Sequence, residues 1–212
     1  IVKQGVAKFG GGAGAGGGAG AGAGGGRAQQ KIGTPKGPPQ KSETRGNWNV
    51  ENYENAGVVE ISEANMKNGV YIAHSNNTTF AVKTKVKSVV FDSCSKCQLI
   101  VQDVLSGVEV VNCQRIPGVQ VLGAVNSVQI DKTDGCQIYL CHEPTVRSGL
   151  ANLSITTSKS SEMNVNIAKF DSAGQMTGDF EERPIPEQFV TRFDGGAAGS
   201  KKWVTGVSDI YG

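Results

Sequence analysis

The sequence predicts an all-β fold of stacked coils, a β-solenoid. Three observations predict it. The first is a repeat between Val70 and Ile167, in which short apolar pairs recur in register. One set reads Val70-x-Ile72, Val89-x-Phe91, Val108-x-Val110, Val128-x-Ile130 and Leu153-x-Ile155. A second set follows each after a turn: Phe80-x-Val82, Leu99-x-Val101, Val119-x-Val121, Ile138-x-Leu140 and Met163-x-Val165. The steps are 19, 19, 20 and 25 residues in the first set and 19, 20, 19 and 25 in the second. The second observation is the period of 2 inside each pair, which buries one face of a strand. The third is the turn chemistry between pairs, such as Ser75-Asn76-Asn77, Pro117-Gly118 and Asp134-Gly135. A fixed period near twenty residues with no helical pattern is the signature of a solenoid. Trp48-x-Val50 with Val59-x-Ile61 adds a first, less regular coil, making about six coils of 19–20 residues.

In chain order, residues 1–46 read as a linker. Residues 10–26 are only Gly and Ala and cannot bury enough apolar surface to offset their conformational entropy. Pro35-Lys-Gly-Pro38-Pro39 follows, in which Pro38-Pro39 is too short for a polyproline ligand. Residues 47–212 read as the folded domain. Two stretches interrupt the repeat: a loop at 141–149, which absorbs the five-residue excess of the last coil, and a surface excursion at 169–183. From Pro184 the pattern changes to a hairpin, with one strand around Phe189–Phe193, a Gly-rich turn, and a second strand from Lys202 to Ile210. The open edge of a last coil pairs with another chain unless covered. This hairpin (184–212) is the segment available to cover it, on its own chain or exchanged between two copies.

Composition narrows the function. The net charge of +2 gives no electrostatic footprint for nucleic acid, and no apolar run reaches the length of a membrane span. Nothing resembles a signal peptide, and a start at Ile1-Val2 without Met reads as part of a longer chain. Five cysteines, an odd number, read as cytosolic thiols. Cys94-Ser-Lys-Cys97 lacks the second pair that a zinc site needs, so no metal or cofactor is expected. Asp92 and Asp131 share a column two coils apart, at a spacing that glycosidases use, but Val111 stands between them and no Arg, His or aromatic cluster accompanies them. They read as turn caps rather than a catalytic pair, and the chain as a non-enzyme.

Several words of the sequence, in order, resemble one family. Trp48-Asn-Val-Glu-Asn-Tyr-Glu-Asn55 is the first. Val82-Lys-Thr-Lys85-x-x-Ser88-Val-x-x-Asp92-x-Cys94, Asp131-Lys-Thr-Asp-Gly-Cys136 and Ser158-Lys-Ser-Ser-Glu-Met-Asn-Val165 follow. Pro184-x-Pro186-Glu-Gln-Phe189 and Trp203-Val-Thr-x-Val-x-Asp-Ile210 complete the set. Together they resemble the C-terminal domain of cyclase-associated proteins, over roughly residues 47–212. Thr84 stands where the family usually has Gly. The residues before 47 do not look like the family's actin-binding WH2 segment, and nothing here resembles the family's N-terminal helical domain, so cyclase-binding and filament-severing roles are not expected of this fragment.

The resemblance implies a right-handed parallel β-helix that dimerises by exchanging C-terminal strands. It implies a cytoplasmic, cytoskeleton-associated protein that binds ADP-bound actin monomers, including those released by cofilin, and promotes exchange of ADP for ATP. Matching family words with polar residues place the actin contacts at Lys132, Thr133, Asp134, Lys159, Ser161, Glu162 and Asn164, and in the tail at Thr205, Ser208 and Asp209. The dimer contacts fall on Phe189, Phe193, Trp203, Val204, Val207 and Ile210. The alternatives are a solenoid scaffold with another protein partner and, third, a polysaccharide-active β-helix enzyme.

Overall fold

The computed structural model describes residues 31–194 and 202–208. Strands β1 (Gln40–Thr44), β2 (Asn47–Glu51) and β3 (Glu54–Ile61) come first. Four pairs follow: β4 (Gly69–Ala73) with β5 (Asn76–Val82), β6 (Val86–Asp92) with β7 (Gln98–Val101), β8 (Val104–Val111) with β9 (Gln114–Val121), and β10 (Ser127–Asp131) with β11 (Asp134–Leu140). A short helix, α1 (Glu143–Arg147), precedes β12 (Ser154–Ser158) and β13 (Ser161–Phe170). The chain continues through β14 (Met176–Pro184), β15 (Phe189–Asp194) and β16 (Lys202–Val207).

Six coils stack in parallel, each giving one strand to each of two facing sheets. One sheet runs β1-β2-β4-β6-β8-β10-β12 and the other β14-β13-β11-β9-β7-β5-β3. The pairs read from the sequence are the rungs: Val70 lies beside Val89, Val89 beside Val108, and Val108 beside Val128. On the facing sheet Phe80, Leu99, Val119 and Ile138 form the matching row. All of these side chains are buried. Each contributes about 1.5–3 kcal/mol from the area it removes from water. Tyr53, Phe80 and Phe91 meet edge to face across the first coils. The five cysteines are free and buried in the same interior, where burial pushes the Cys136 thiol well above its ordinary value.

The last coil differs from its expected register. Val128 pairs with Ile155, not Leu153, and Ile138 pairs with Val165, not Met163. The step is therefore 27 residues rather than 25 in both sheets. A shift of two preserves which face points inward, so the apolar alternation could not reveal it. The extra residues hold α1 rather than a plain loop: Pro144 opens the helix, and an Arg147–Glu143 ion pair spans it.

Both ends of the fold also differ from expectation. The structured chain begins before residue 47, because β1 pairs antiparallel with β2 and caps that sheet. The 169–183 excursion is a regular hairpin arm: β14 turns back antiparallel on β13, with Val165 beside Arg183. It takes Pro184 with it and covers the edge near Met163–Val165. That edge was assigned above to the Phe189–Ile210 hairpin. The hairpin β15–β16 instead forms a separate two-stranded sheet, Phe193 beside Trp203. It does not pair with its own solenoid among the described residues.

Candidate functional site

One corner joins each first-sheet strand to its second-sheet partner, and its backbone is regular. Two residues per coil, three apart, take left-handed conformations. The first column is Asn52, His74, Ser93, Asn112, Lys132 and Lys159; the second is Asn55, Asn77, Lys96, Arg115, Gly135 and Glu162. Their φ values lie between 47° and 73°. The coils interlock here through the backbone: His74 N–H donates to Asp92 O, Ser93 to Val111, Asn112 to Asp131 and Lys132 to Ser158. The short span between sheets dictates this pattern, since two left-handed residues turn the chain through the corner without a longer loop.

Most of the predicted contact residues meet on this corner, in the last two coils. Lys132 and Lys159 are exposed neighbours in the first column, with Lys132 Nζ 3.5 Å from Asp131. Asp134 is exposed and accepts a hydrogen bond of 2.6 Å from the Ser161 hydroxyl. Glu162 is exposed; its carboxylate lies 3.7 Å from where a Cβ on Gly135 would stand, and its N–H donates to Glu187. Thr133 does not belong to a surface. It is 1% exposed, and its hydroxyl accepts from Cys113 N–H and donates to Asp131 O. It ties two coils together. Asn164 is half-buried, with its amide given to Gln137 and Asn166 at 3.2 and 3.3 Å.

The tail residues lie elsewhere. Thr205 is exposed on β16, its hydroxyl 3.0 Å from that of Thr191, and Ser208 N–H donates to Gln188 O. Asp209 and Ile210 fall outside the described residues. The sequence reading missed Lys96 and Arg115, which stand exposed on the same corner two and one coils before Gly135. The signal was present: both occupy the position, three after an outward turn residue, that Asn55 and Asn77 hold in the first coils.

Asp92 and Asp131, the candidate carboxylate pair, are both engaged by neighbouring side chains. Burial works against the charge of Asp92, but hydrogen bonds from Tyr71, Ser93 and Asn112 outweigh it and hold its carboxyl below the ordinary value. Asp131, the other member of the candidate pair, is engaged with Lys132, and Val111 lies between the two. No cluster among the described residues could hold a metal ion. No helix among them is long and apolar enough to cross a membrane.

Comparison with known proteins matches this architecture. The family model for the adenylate cyclase associated (CAP) C terminal covers residues 37–209. Adenylyl cyclase-associated protein 1 from Bos taurus and from Homo sapiens are each 39% identical over 165 residues, 78% of this chain and 31% of theirs. Adenylyl cyclase-associated protein 2 from Homo sapiens is 39% identical over 148 residues, 70% of this chain and 28% of its own length. The chain thus spans about a third of these relatives. The crystal structure of cyclase-associated protein from Cryptosporidium parvum superposes with a TM-score of 0.71 at 32% identity, covering 82% of this chain and 98% of that one. On the family model, the identity and the shared coils together, the chain belongs to the family of adenylate cyclase-associated protein C-terminal domains.

Proposed function

We propose that this domain binds monomeric ADP-actin and promotes its exchange of ADP for ATP, as a cytoplasmic, non-enzymatic regulator of filament turnover. The observation that carries the reading is family membership across residues 37–209. The exposed set Lys132, Asp134, Lys159 and Glu162, with Ser161 beside them, supports a contact on the corner of the last two coils. A stiff ladder of backbone hydrogen bonds suits a factor that must favour one conformation of its partner over another, since only differential affinity shifts an equilibrium.

The reading includes a homodimer. The ribbon β15–β16 exposes Phe189 (59%), Phe193 (53%) and Trp203 (69%), with Val204 and Val207 also outside. Aromatic side chains of this size anchor interfaces when buried. Among the described residues strand β12 ends its sheet without a further partner, and its outward residues are Ser and Thr rather than charges. An exchanged ribbon covers both liabilities by one two-fold operation.

Nucleotide exchange on fluorescently labelled ADP-actin tests the function. The chain is expected to accelerate release, and Lys132→Ala with Lys159→Ala to weaken it while moving thermal stability by no more than about 0.5 kcal/mol, as for other surface substitutions. Unchanged exchange in the double variant removes the corner from the contact, and no acceleration by the unaltered chain removes the function itself.

A further inference from the structure

We infer that Lys96, Arg115, Lys132 and Lys159 form one cationic ridge along the corner, and that it docks an acidic protein surface. The inference rests on the function proposed above and extends its site by two coils. It begins from a conflict between backbone and side chain. Every one of these four residues is left-handed, with φ of 54°, 52°, 48° and 48°. That conformation brings Cβ too near the carbonyl for most residues, and Gly and Asn bear it best. The first two coils follow the rule with Asn52, Asn55 and Asn77, and Asn77 uses its amide to donate 2.7 Å to Asn55. From the third coil on, the sequence places a long cation at one left-handed position in each of four successive coils.

Structure gains nothing visible from the exchange. Among the described residues Lys96, Arg115 and Lys159 have neither an ion pair nor a side-chain hydrogen bond, and Lys132 has only its neighbour Asp131. All four are exposed. Where a local rule is broken without structural compensation, the residue serves something outside the fold. Successive coils are about 4.8 Å apart, so along the stack the four charges span about 14 Å, the scale of a protein contact, with a sideways step of three residues between Arg115 in the second column and Lys132 in the first. The ridge is not uniformly basic. Asp131, Asp134 and Glu162 flank its C-terminal half. A nucleic acid or other polyanion laid along it meets these carboxylates, whereas a folded surface with acidic groups facing Lys96 and Arg115 does not. Gly135 interrupts the second column: a Cβ there would stand 3.6 Å from the Arg115 Cα and 3.7 Å from the Glu162 carboxylate.

The test uses the whole chain with Lys96→Asn and Arg115→Asn together. Asn suits the left-handed backbone, so melting temperature is expected to hold or rise. Binding to purified ADP-actin is followed by stopped flow from 20 to 300 mM salt. Charge complementarity governs encounter more than it governs dissociation. The double variant is therefore expected to associate about tenfold more slowly at low salt, with a flatter salt dependence. If the variant associates as fast as the unaltered chain at every salt concentration, the ridge is overturned and the actin reading stands. If the unaltered chain does not bind ADP-actin, both fall together.

Discussion

The two ends of the solenoid solve the same problem in opposite sheets. Among the described residues, β1 caps the first sheet at the N-terminal end and β3 has no further partner, while at the C-terminal end β14 caps the second sheet and β12 has none. The open edges are not alike. β3 is bulged between Glu54 and Gly57 and carries Glu54 and Glu60, the devices that blunt an edge against pairing. β12 pairs over its full length with β10 without a register shift and has no charged residue. The difference teaches that a free edge is not in itself an invitation. The N-terminal end is finished within the chain. The C-terminal end has an edge without blunting charges and, beyond it, a ribbon whose Phe189, Phe193 and Trp203 are exposed among the described residues.

The sharpest way to break this asymmetry is to remove the ribbon's outer strand. Deleting residues 202–212 is expected to halve the mass in sedimentation equilibrium and to leave an aggregation-prone edge. An intact chain already monomeric at micromolar concentration refutes the exchanged ribbon, and an unchanged mass after truncation refutes the strand as its agent.

The opposite operation, deleting residues 31–44, removes β1 from the finished end. Alternate pairs of this five-residue ladder exchange two hydrogen bonds each, at about 1 kcal/mol per bond, so urea denaturation is expected to report a loss on the order of 4–6 kcal/mol without a change in dimerisation. A loss of dimerisation with β1 makes the two ends interdependent rather than separate.

A smaller effect concerns the strap that leads into β1. Gly33 N–H donates to Ser93 O, Lys36 N–H donates to the Asn52 side chain, and Lys36 Nζ lies 2.9 Å from His74 Nε2. This last contact needs a neutral imidazole to accept the proton. Burial first, and then the Lys36 charge, lower the His74 pKa from the ordinary 6.5; Asp92 and Glu51 pull it back in part. A base whose folded pKa is depressed contributes stability above the unfolded value and loses it as pH falls through 6.5 toward the folded one. Hydrogen exchange of residues 31–39, corrected for intrinsic rates, is expected to quicken about threefold or more between pH 7.5 and 5.5, and the change to vanish in His74→Gln. The same acceleration in that variant assigns the effect to another group.

The caps are also where the sequence was least readable. β1 reads Gln-Lys-Ser-Glu-Thr and is exposed throughout, and β14 buries almost nothing. Caps held mostly by backbone hydrogen bonds, with isolated side-chain contacts such as Phe180 on Tyr139 and Lys41 on Glu63, leave no apolar period to detect. The coils were legible because Val70, Val89 and Val108 mark a buried rung at fixed spacing. Their register failed only where α1 intervenes, since Leu153 and Ile155 are both apolar and either could serve as the rung. At the site, Lys132, Asp134, Lys159 and Glu162 were legible as turn residues with charges. Thr133 was not, because a turn threonine faces inward or outward according to which neighbouring backbone groups need a partner. Lys96 and Arg115 were legible only through the repeat, as the positions three after Ser93 and Asn112 that match Asn55 and Asn77.

The paired left-handed columns also fix how the molecule can change length. That corner carries the same left-handed pair in every coil, so one coil can be cut out or copied between equivalent residues of it without remaking its turn. Both ends resist that operation, since β1 and β14 each fit a single neighbour. Insertion is therefore tolerated in the interior alone, where each added coil lengthens the corner by about 4.8 Å and offers two more side-chain positions. The domain has the properties of a graduated rod with fixed end-pieces. A partner that reads it is reading spacing along one edge as well as the identity of the residues placed there.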